Sequence, residues 1–203
     1  LRGTFESLDY RFKYVYSIIG EPEPVEAVMS FARAAHAASR LRTARVGTMG
    51  YRDMLLYGTQ FEGVSLRGQI GVEVEPFEML EMVQGTEALT EQEIEAGIRF
   101  VRDNWTLEKE CDEAVIRNGV RYALALNKKI ESRGFDAITL IDVDGMKKLL
   151  GFPPAMVFML LDSWRTIATI PENDILGNVT QLMLSFLTGQ TIPHPVLESE
   201  NRF

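Results

Sequence analysis

The sequence IATIPENDILGN, residues 167–178, decides the fold of this chain. The apolar run over residues 167–170 is typical of the end of a buried strand, and Pro171 closes it. A polar turn follows, and apolar residues at helical spacing then continue over 175–187. A strand, a tight turn with carboxylates and a helix are typical of the edge of a parallel sheet, where ligands bind. We therefore expect Glu172 to belong to any chemical site that the chain has.

Strand and helix patterns alternate along the rest of the chain. Helices are predicted over 24–43, 77–84, 91–104 and 107–133, with a possible short helix over 51–57. Further strands are predicted over 45–50, 69–75 and 135–141, with a loop over 61–68 and a strand or extended arm within 1–21. Pro76 is expected to end the second of these strands. Thr90 with Glu93 predicts a capping box for the helix over 91–104, and Gly134 predicts the end of the helix over 107–133. The predicted apolar face of the first helix consists of Val25, Val28, Met29, Ala32 and Ala35. This alternation favours a parallel, doubly wound arrangement. The predicted fold class is therefore α/β, with a mostly parallel sheet and helices on both faces.

The composition excludes several classes of protein. The 203 residues are 46% hydrophobic and 25% charged, which is typical of a globular domain, and the net charge of −8 argues against a nucleic-acid partner. The single cysteine, Cys111, excludes an internal disulfide and predicts a reducing compartment, which we take to be the cytoplasm. No apolar run reaches the roughly 18 residues of a membrane helix, so no membrane partner is expected.

Three polar residues in the turn before the last helix have two interpretations. Glu172, Asn173 and Asp174 could bind a hard cation such as magnesium or manganese through their oxygen atoms. Alternatively, Asp174 or Asn173 is only the N-cap of the helix that follows, and N-caps are common. Glu172 is not needed as a cap, so it stays the strongest candidate for chemistry.

Other polar motifs give weaker indications. Asp142 and Asp144 follow the strand over 135–141, where a polar turn explains them better than a cation site. The glycine-bounded turn over 47–50 follows a strand, but it lacks the pattern of a phosphate-binding loop. His36 is typical of a packed or surface histidine, and His194 has no acidic partner at metal-binding spacing. Cys111 is predicted to be a buried structural thiol.

The motif Glu172-Asn173-Asp174, followed by an apolar helix, resembles the strand-to-helix motif of the L-fucose isomerase family, which is related to the L-arabinose isomerases. Residues 46–50 are similar to the strand and Met-Gly turn of that family. Residues 71–80 are similar to the strand and helix that come next. The resemblance spans roughly residues 44–200 in the same order.

This resemblance implies a subunit of three domains, of which the chain holds the middle one. Residues 1–21 would be an N-terminal arm or interdomain segment. Residues 22–190 would be the Rossmann-like middle domain, and 191–203 the start of a truncated C-terminal domain. The chain does not begin with Met, and we expect it to be a piece of a longer protein that is inactive alone.

The resemblance also implies an activity, aldose–ketose isomerisation of a sugar such as L-fucose or L-arabinose through an ene-diol, with a divalent cation, Mn²⁺. Glu172 falls on the first metal-binding carboxylate, which is also catalytic. Glu198 is the nearest residue to the second, which is aspartate in the family pattern. Met49 falls on a substrate-side position, and the histidine ligand would lie beyond Phe203. A homo-oligomer, a hexamer by resemblance, is implied.

Two alternatives come from other functional classes. The chain could be a non-catalytic domain of an isomerase-like protein that binds sugar or assembles oligomers, because parallel α/β domains also serve in these ways. A nucleotide-binding domain is a third possibility, which the missing phosphate loop disfavours.

Overall fold

A four-stranded parallel sheet forms the centre of the fold. The computed structural model describes residues 1–20, 22–107, 111–165 and 167–190. The strands are β1 (Arg45–Met49), β2 (Glu73–Phe77), β3 (Ala137–Leu140) and β4 (Ala168–Pro171), in the order β2-β1-β3-β4, and every neighbouring pair is parallel. The predicted α/β class with a doubly wound, Rossmann-like sheet is confirmed.

Helices connect the strands. They are α1 (Arg2–Ser7), α2 (Val25–Leu41), α3 (Gly63–Gln69), α4 (Met79–Gly85), α5 (Glu91–Asn104), α6 (Glu113–Arg133), α7 (Lys148–Leu150), α8 (Ala155–Arg165) and α9 (Ile175–Thr188). A 3₁₀ turn covers Asp53–Leu55, and a π-helical turn covers Asp142–Lys147. Within the described ranges, no helix is both long enough and apolar enough to cross a membrane.

The two faces of the sheet are covered by different helices, as predicted. On one face, Met49, Ile138 and Leu140 pack in a core with buried residues of α4, α5, α6 and α8. On the other face, Val46 and Ala137 belong to a second core with residues of α2, α3 and α9. Because successive side chains of a strand point to opposite faces, β1 and β3 each contribute to both cores.

The predicted helix ends are confirmed at three positions. Thr90 and Glu93 form the capping box of α5, in which each side chain accepts the backbone N–H of the other residue. Gly134 ends α6 with a left-handed φ of 65°. Asp174 caps α9, where its Oδ1 accepts the Gly177 N–H at 2.9 Å.

Several local predictions are wrong. Residues 61–68 were expected to form a loop, but α3 begins there because the Glu62 carboxylate accepts two N–H groups of its first turn. Of the two alternatives for residues 10–18, a strand or an extended arm, the structure excludes the strand. The helix expected from residue 107 begins at Glu113, so Cys111 precedes it and is exposed rather than buried.

Pro76 was expected to end the second strand, but it lies within β2. The Glu73 N–H donates to Ala44 O at 2.9 Å, and the Gly50 N–H donates to Phe77 O at 3.0 Å. The backbone groups of Glu73 and Phe77 therefore face β1. Because the backbone groups of successive residues in a strand face opposite neighbours, the nitrogen of Pro76 faces away from β1, at the outer edge of the sheet. The missing N–H therefore removes no bond between the strands.

The predicted apolar face of α2 is exposed in its first half. Val25, Val28 and Met29 are 53%, 51% and 45% exposed, whereas the buried residues of this helix are Ala37 and Leu41. Only the second half of α2 therefore contributes to the core.

Candidate active site at the carboxyl edge of the sheet

The strand order places a switch point between β1 and β3. The chain moves from β1 to β2 on one side of β1, and it later returns to β3 on the other side. In doubly wound sheets, ligands bind in the crevice that forms outside the carboxyl ends of the strands at such a point. Here the segments that follow β1, β3 and β4 lie at this edge, and they carry Asp53, Asp142 and Glu172.

Asp53 connects the segment after β1 to the segment after β3. Its side chain has no exposed surface. Oδ2 accepts the N–H groups of Asp142 at 3.1 Å and Val143 at 2.8 Å, and Oδ1 accepts that of Asp144 at 2.7 Å. The N–H of Met54 also donates to Oδ1, at 3.1 Å. Several N–H donors on one carboxylate compensate for the loss of water around a buried charge.

The three N–H groups of residues 142–144 open a helical turn. Consecutive N–H groups in this position form a binding site for anions such as phosphate. Because the Asp53 carboxylate already accepts all three, it takes the place that a phosphate would have at the switch point. This arrangement argues against the nucleotide-binding alternative.

The segment after β1 has a strained backbone. Met54 and Leu55 have left-handed φ angles of 46° and 57°, which are uncommon for residues other than glycine. The Met54 N–H also donates to Asp144 Oδ2 at 2.8 Å, and Asp144 Oδ1 pairs with Lys148 at 2.5 Å. Hydrogen bonds to the segment after β3 therefore hold this conformation. Strain of this kind is concentrated at functional sites.

Asp142 is an acid that keeps its proton to unusually high pH. Burial, hydrogen bonding to the Asp53 side chain and the negative charges of Asp53 and Glu172 together raise the pKa of Asp142 to about 7, against a small opposing effect of Lys147. Its Oδ1 atom is buried and has no hydrogen-bond partner in the described part of the chain. The interpretation of Asp142 as an ordinary polar turn is therefore incomplete, since it belongs to a cluster of acids with Asp53 and Glu172.

Glu172 lies at the same edge in a turn between β4 and α9. It is half-buried, and its pKa is raised by burial first and then by the charges of Asp53 and Asp174. Glu172 and Asn173 both have left-handed φ angles, 62° and 55°. Such a conformation costs of the order of 1–3 kcal/mol for a residue other than glycine. Glu172 is thus a strained carboxylate with a perturbed pKa, which is typical of functional sites.

One interpretation of the sequence makes Asn173 the N-cap of α9, but the structure shows that it is not. Asp174 is the cap, and Asn173 is buried. The Asn173 amide nitrogen donates to Thr48 Oγ1 at 3.0 Å and to Met49 O at 2.8 Å. The turn that carries Glu172 is therefore hydrogen-bonded to the end of β1.

The structure does not bring the side chain of Met49 to this edge. Met49 ends β1, but its side chain is fully buried in the core rather than in the crevice. Glu198 and His194 lie outside the described residues, so their predicted roles stay predictions. His36 is exposed on α2.

Asp53 is the functional candidate that the sequence did not reveal. The sequence around Asp53 predicts only a possible short helix over 51–57. One signal was available, because Asp53 follows a strand closely, as Asp142 and Glu172 do. The carboxyl ends of parallel strands meet at one edge, so all three acids could have been grouped.

The described residues do not complete a metal site. Among them, no group of three or more His, Cys, Asp and Glu side chains is arranged to hold a metal ion. The oxygens of Asp53 already accept N–H groups, which leaves the carboxyl groups of Asp142 and Glu172 as the available acids at this edge.

A family model described as the L-arabinose isomerase central domain matches residues 56–159, which are 104 of the 203 residues. The chain belongs to this family. Kinship with arabinose and fucose isomerases is confirmed, while membership of the L-fucose isomerases in particular stays a prediction. No curated protein matches the chain.

The match to the L-arabinose isomerase central domain begins after Asp53 and ends within α8. It includes Asp142, and it lies inside the domain predicted over 22–190, whose boundaries stay predictions. Glu172 lies outside the matched residues, so its role depends on the geometry of the edge and on the resemblance of its own motif.

We predict that the substitution Asp53→Asn destabilises the fold by about 2–4 kcal/mol, because an amide replaces one accepting oxygen and leaves buried N–H groups unpaired. Chemical denaturation measures this change. Asp136→Asn is the matched control. Asp136 accepts one N–H, from Arg45 at 2.9 Å, and its side chain is a third exposed, so we expect a loss of about 1 kcal/mol or less. Equal losses in the two variants would contradict the role given to Asp53.

We predict that Asp142→Asn changes the pH dependence of stability. The folded pKa of Asp142, about 7, lies above its ordinary value of 3.8, so between these values the folded state keeps a proton that the unfolded state releases. The contribution of this group to stability is present at low pH and is lost as the pH rises through about 7. The stability of Asp142→Asn relative to the natural chain should therefore increase from pH 5 to pH 8, in denaturation curves measured with a chelator.

Asp144→Asn is the control for this measurement. The Lys148 ion pair lowers the pKa of Asp144, so both states are ionised above pH 5 and the effect of its substitution should stay constant from pH 5 to pH 8. A constant difference for Asp142→Asn as well would contradict the raised pKa.

Proposed function

We propose that this chain is the central domain of a metal-dependent aldose–ketose isomerase. The reaction would interconvert an aldose, such as L-fucose or L-arabinose, and the corresponding ketose through an ene-diol intermediate. The single observation that carries the proposal is Glu172, a strained and half-buried carboxylate at the carboxyl edge of a sheet in a chain of the L-arabinose isomerase central domain family.

The chemistry needs a base beside C2 of the sugar and control of the protons on O1 and O2. Glu172 is suited to take the proton from C2 and return it to C1, because its carboxylate is half-buried at the edge of the sheet where ligands bind. Burial also reduces the number of water molecules around its carboxylate, which favours proton transfer to the sugar over exchange with solvent.

The acids at this edge fit a hard divalent cation, and Mn²⁺ is the one that we propose. Carboxylate oxygens are suitable ligands for such a cation. Near Glu172, the Oδ1 atom of Asp142 is buried and accepts no hydrogen bond from the described residues, so this oxygen is available to a ligand. Glu172 would hold the cation, with Glu198 as the proposed second carboxylate. When bound, the cation would supply a positive charge that polarises the carbonyl of the sugar.

The remaining ligands and the sugar pocket would come from elsewhere in the full-length protein, so we propose that this chain is inactive by itself. We also propose a cytoplasmic homo-oligomer, a hexamer by resemblance. The exposed apolar residues of α2, Val25, Val28 and Met29, support an assembly role, because a cluster of exposed apolar side chains is typical of a surface that contacts another chain.

We predict that Glu172→Gln in the full-length protein reduces isomerase turnover by at least about 10²-fold, because glutamine cannot accept the proton. Turnover of aldose to ketose measures this loss, and circular dichroism checks that the fold is retained. Glu87→Gln, which changes an exposed glutamate in the 3₁₀ turn after α4, is the matched control and should keep normal turnover. Near-normal turnover of Glu172→Gln would overturn the assignment.

A non-catalytic sugar-binding or assembly domain is the second candidate. One observation favours it, since the described residues alone contain no group of three metal-binding side chains. The two candidates differ in their need for a metal ion, because an isomerase of this kind requires the cation and a binding module does not.

We predict that the full-length protein, purified without chelator, contains about one Mn²⁺ per subunit, because catalysis by the proposed mechanism depends on it. Elemental analysis by mass spectrometry measures the metal content. Removal of the metal by a chelator should abolish turnover, and added Mn²⁺ should restore it. A protein that contains no metal and binds sugar without converting it would support the second candidate instead.

A further inference from the structure

Asn173 has a role beyond that of a turn residue. Its side chain is 1% exposed, and its amide nitrogen makes two hydrogen bonds, to Thr48 Oγ1 at 3.0 Å and to Met49 O at 2.8 Å. Thr48 and Met49 lie 125 and 124 residues earlier in the chain. Asn173 therefore joins the turn after β4 to the end of β1 across the sheet.

The orientation of this amide follows from its partners. A carbonyl oxygen can only accept, so the amide nitrogen of Asn173 must face Met49 O. The Thr48 hydroxyl donates to Gly50 O at 3.4 Å and accepts from Asn173, which extends the chain of hydrogen bonds into the segment after β1. The Asn173 N–H donates to Leu140 O at 3.3 Å. One residue thus connects the ends of β1, β3 and β4.

These bonds bear on the conformation of Glu172. Glu172 and Asn173 are consecutive residues with left-handed φ angles. Asparagine tolerates this conformation, but glutamate does so rarely. A turn that strains Glu172 persists only when neighbouring contacts determine it, and the buried amide bonds of Asn173 are such contacts. Without them, the backbone at Glu172 is free to relax, and the direction of its side chain changes.

We propose that Asn173 is a positioning residue, whose side-chain amide holds Glu172 in its strained conformation so that the Glu172 carboxylate can bind the divalent cation. This inference rests on the proposed function and deepens it. Asn173 itself does not need to touch the metal or the sugar. It acts through the backbone of its neighbour, in the way that residues around a metal site orient its ligands.

Asn178 provides a matched comparison five residues further along the chain. It lies on α9 and is also buried, with 0% exposure. Its amide nitrogen donates to Gln181 Oε1 at 3.1 Å, and like Asn173 its Oδ1 atom is buried without a partner in the described residues. A substitution of Asn178 therefore removes a similar buried amide without affecting the turn at Glu172.

The test compares Asn173→Ala with Asn178→Ala in the full-length protein. Mn²⁺ affinity is measured by electron paramagnetic resonance, and thermal unfolding is measured in the presence of a chelator. We expect both variants to lose stability, but only Asn173→Ala to bind Mn²⁺ more weakly, by about 10–100-fold. In steady-state kinetics, Asn173→Ala should lower kcat more than it changes KM, whereas Asn178→Ala should leave both close to their natural values.

Two further variants separate the hydrogen bonds from the backbone preference. Asn173→Gly keeps a residue that adopts left-handed φ but removes the amide, so it should weaken Mn²⁺ binding as Asn173→Ala does. Thr48→Val removes one of the two acceptors of the Asn173 amide nitrogen, so it should weaken Mn²⁺ binding by a smaller factor than Asn173→Ala does. Normal binding in Asn173→Gly would show that the φ preference alone matters, and would overturn the role of the amide.

Failure of the inference can be distinguished from failure of the proposed function. If Asn173→Ala binds Mn²⁺ as tightly as Asn178→Ala does, Asn173 is a structural residue and the inference is overturned. If Glu172→Gln itself keeps normal Mn²⁺ affinity and turnover, the proposed function is wrong, and the inference about Asn173 is overturned with it.

Discussion

The carboxyl edge of the sheet depends on one interaction, the acceptance of backbone N–H groups by the buried carboxylate of Asp53. A buried charge is costly unless several donors compensate for its lost hydration. Here the donors come from the segment after β3, while the carboxylate comes from the segment after β1. The need to satisfy this charge therefore holds two distant segments together. It also sets the negative potential that Asp142 and Glu172 experience.

Strain and negative charge coincide at this edge. Met54, Leu55, Glu172 and Asn173 have left-handed backbones, and they lie in the segments that follow β1 and β4. The core on each face of the sheet consists of buried apolar side chains. The free energy that the two cores contribute can offset the cost of the strained turns. This division is typical of α/β enzymes, in which a stable scaffold carries a site of unfavourable local geometry.

The features that were predictable from the sequence are local ones. The strand before Pro171, the capping box of Thr90 and Glu93 and the terminal Gly134 each depend on neighbouring residues, and all three agree with the structure. The position of Glu172 at the edge followed from the strand-to-helix pattern. These signals operate over a few residues, which is the range that a pattern in the sequence records.

The features that escaped prediction depend on contacts between distant residues. Asp53 is buried because it meets N–H groups about 90 residues away, and Asn173 is buried because it meets β1 more than 120 residues away. The helix α3 was mistaken for a loop because its glycines weaken the helical pattern, while a carboxylate cap compensates. Pro76 has a different consequence, which concerns aggregation. By turning a residue without an N–H to the outer edge of β2, the chain interrupts the row of donors that a strand of another molecule would need, and so limits edge-to-edge growth of the sheet.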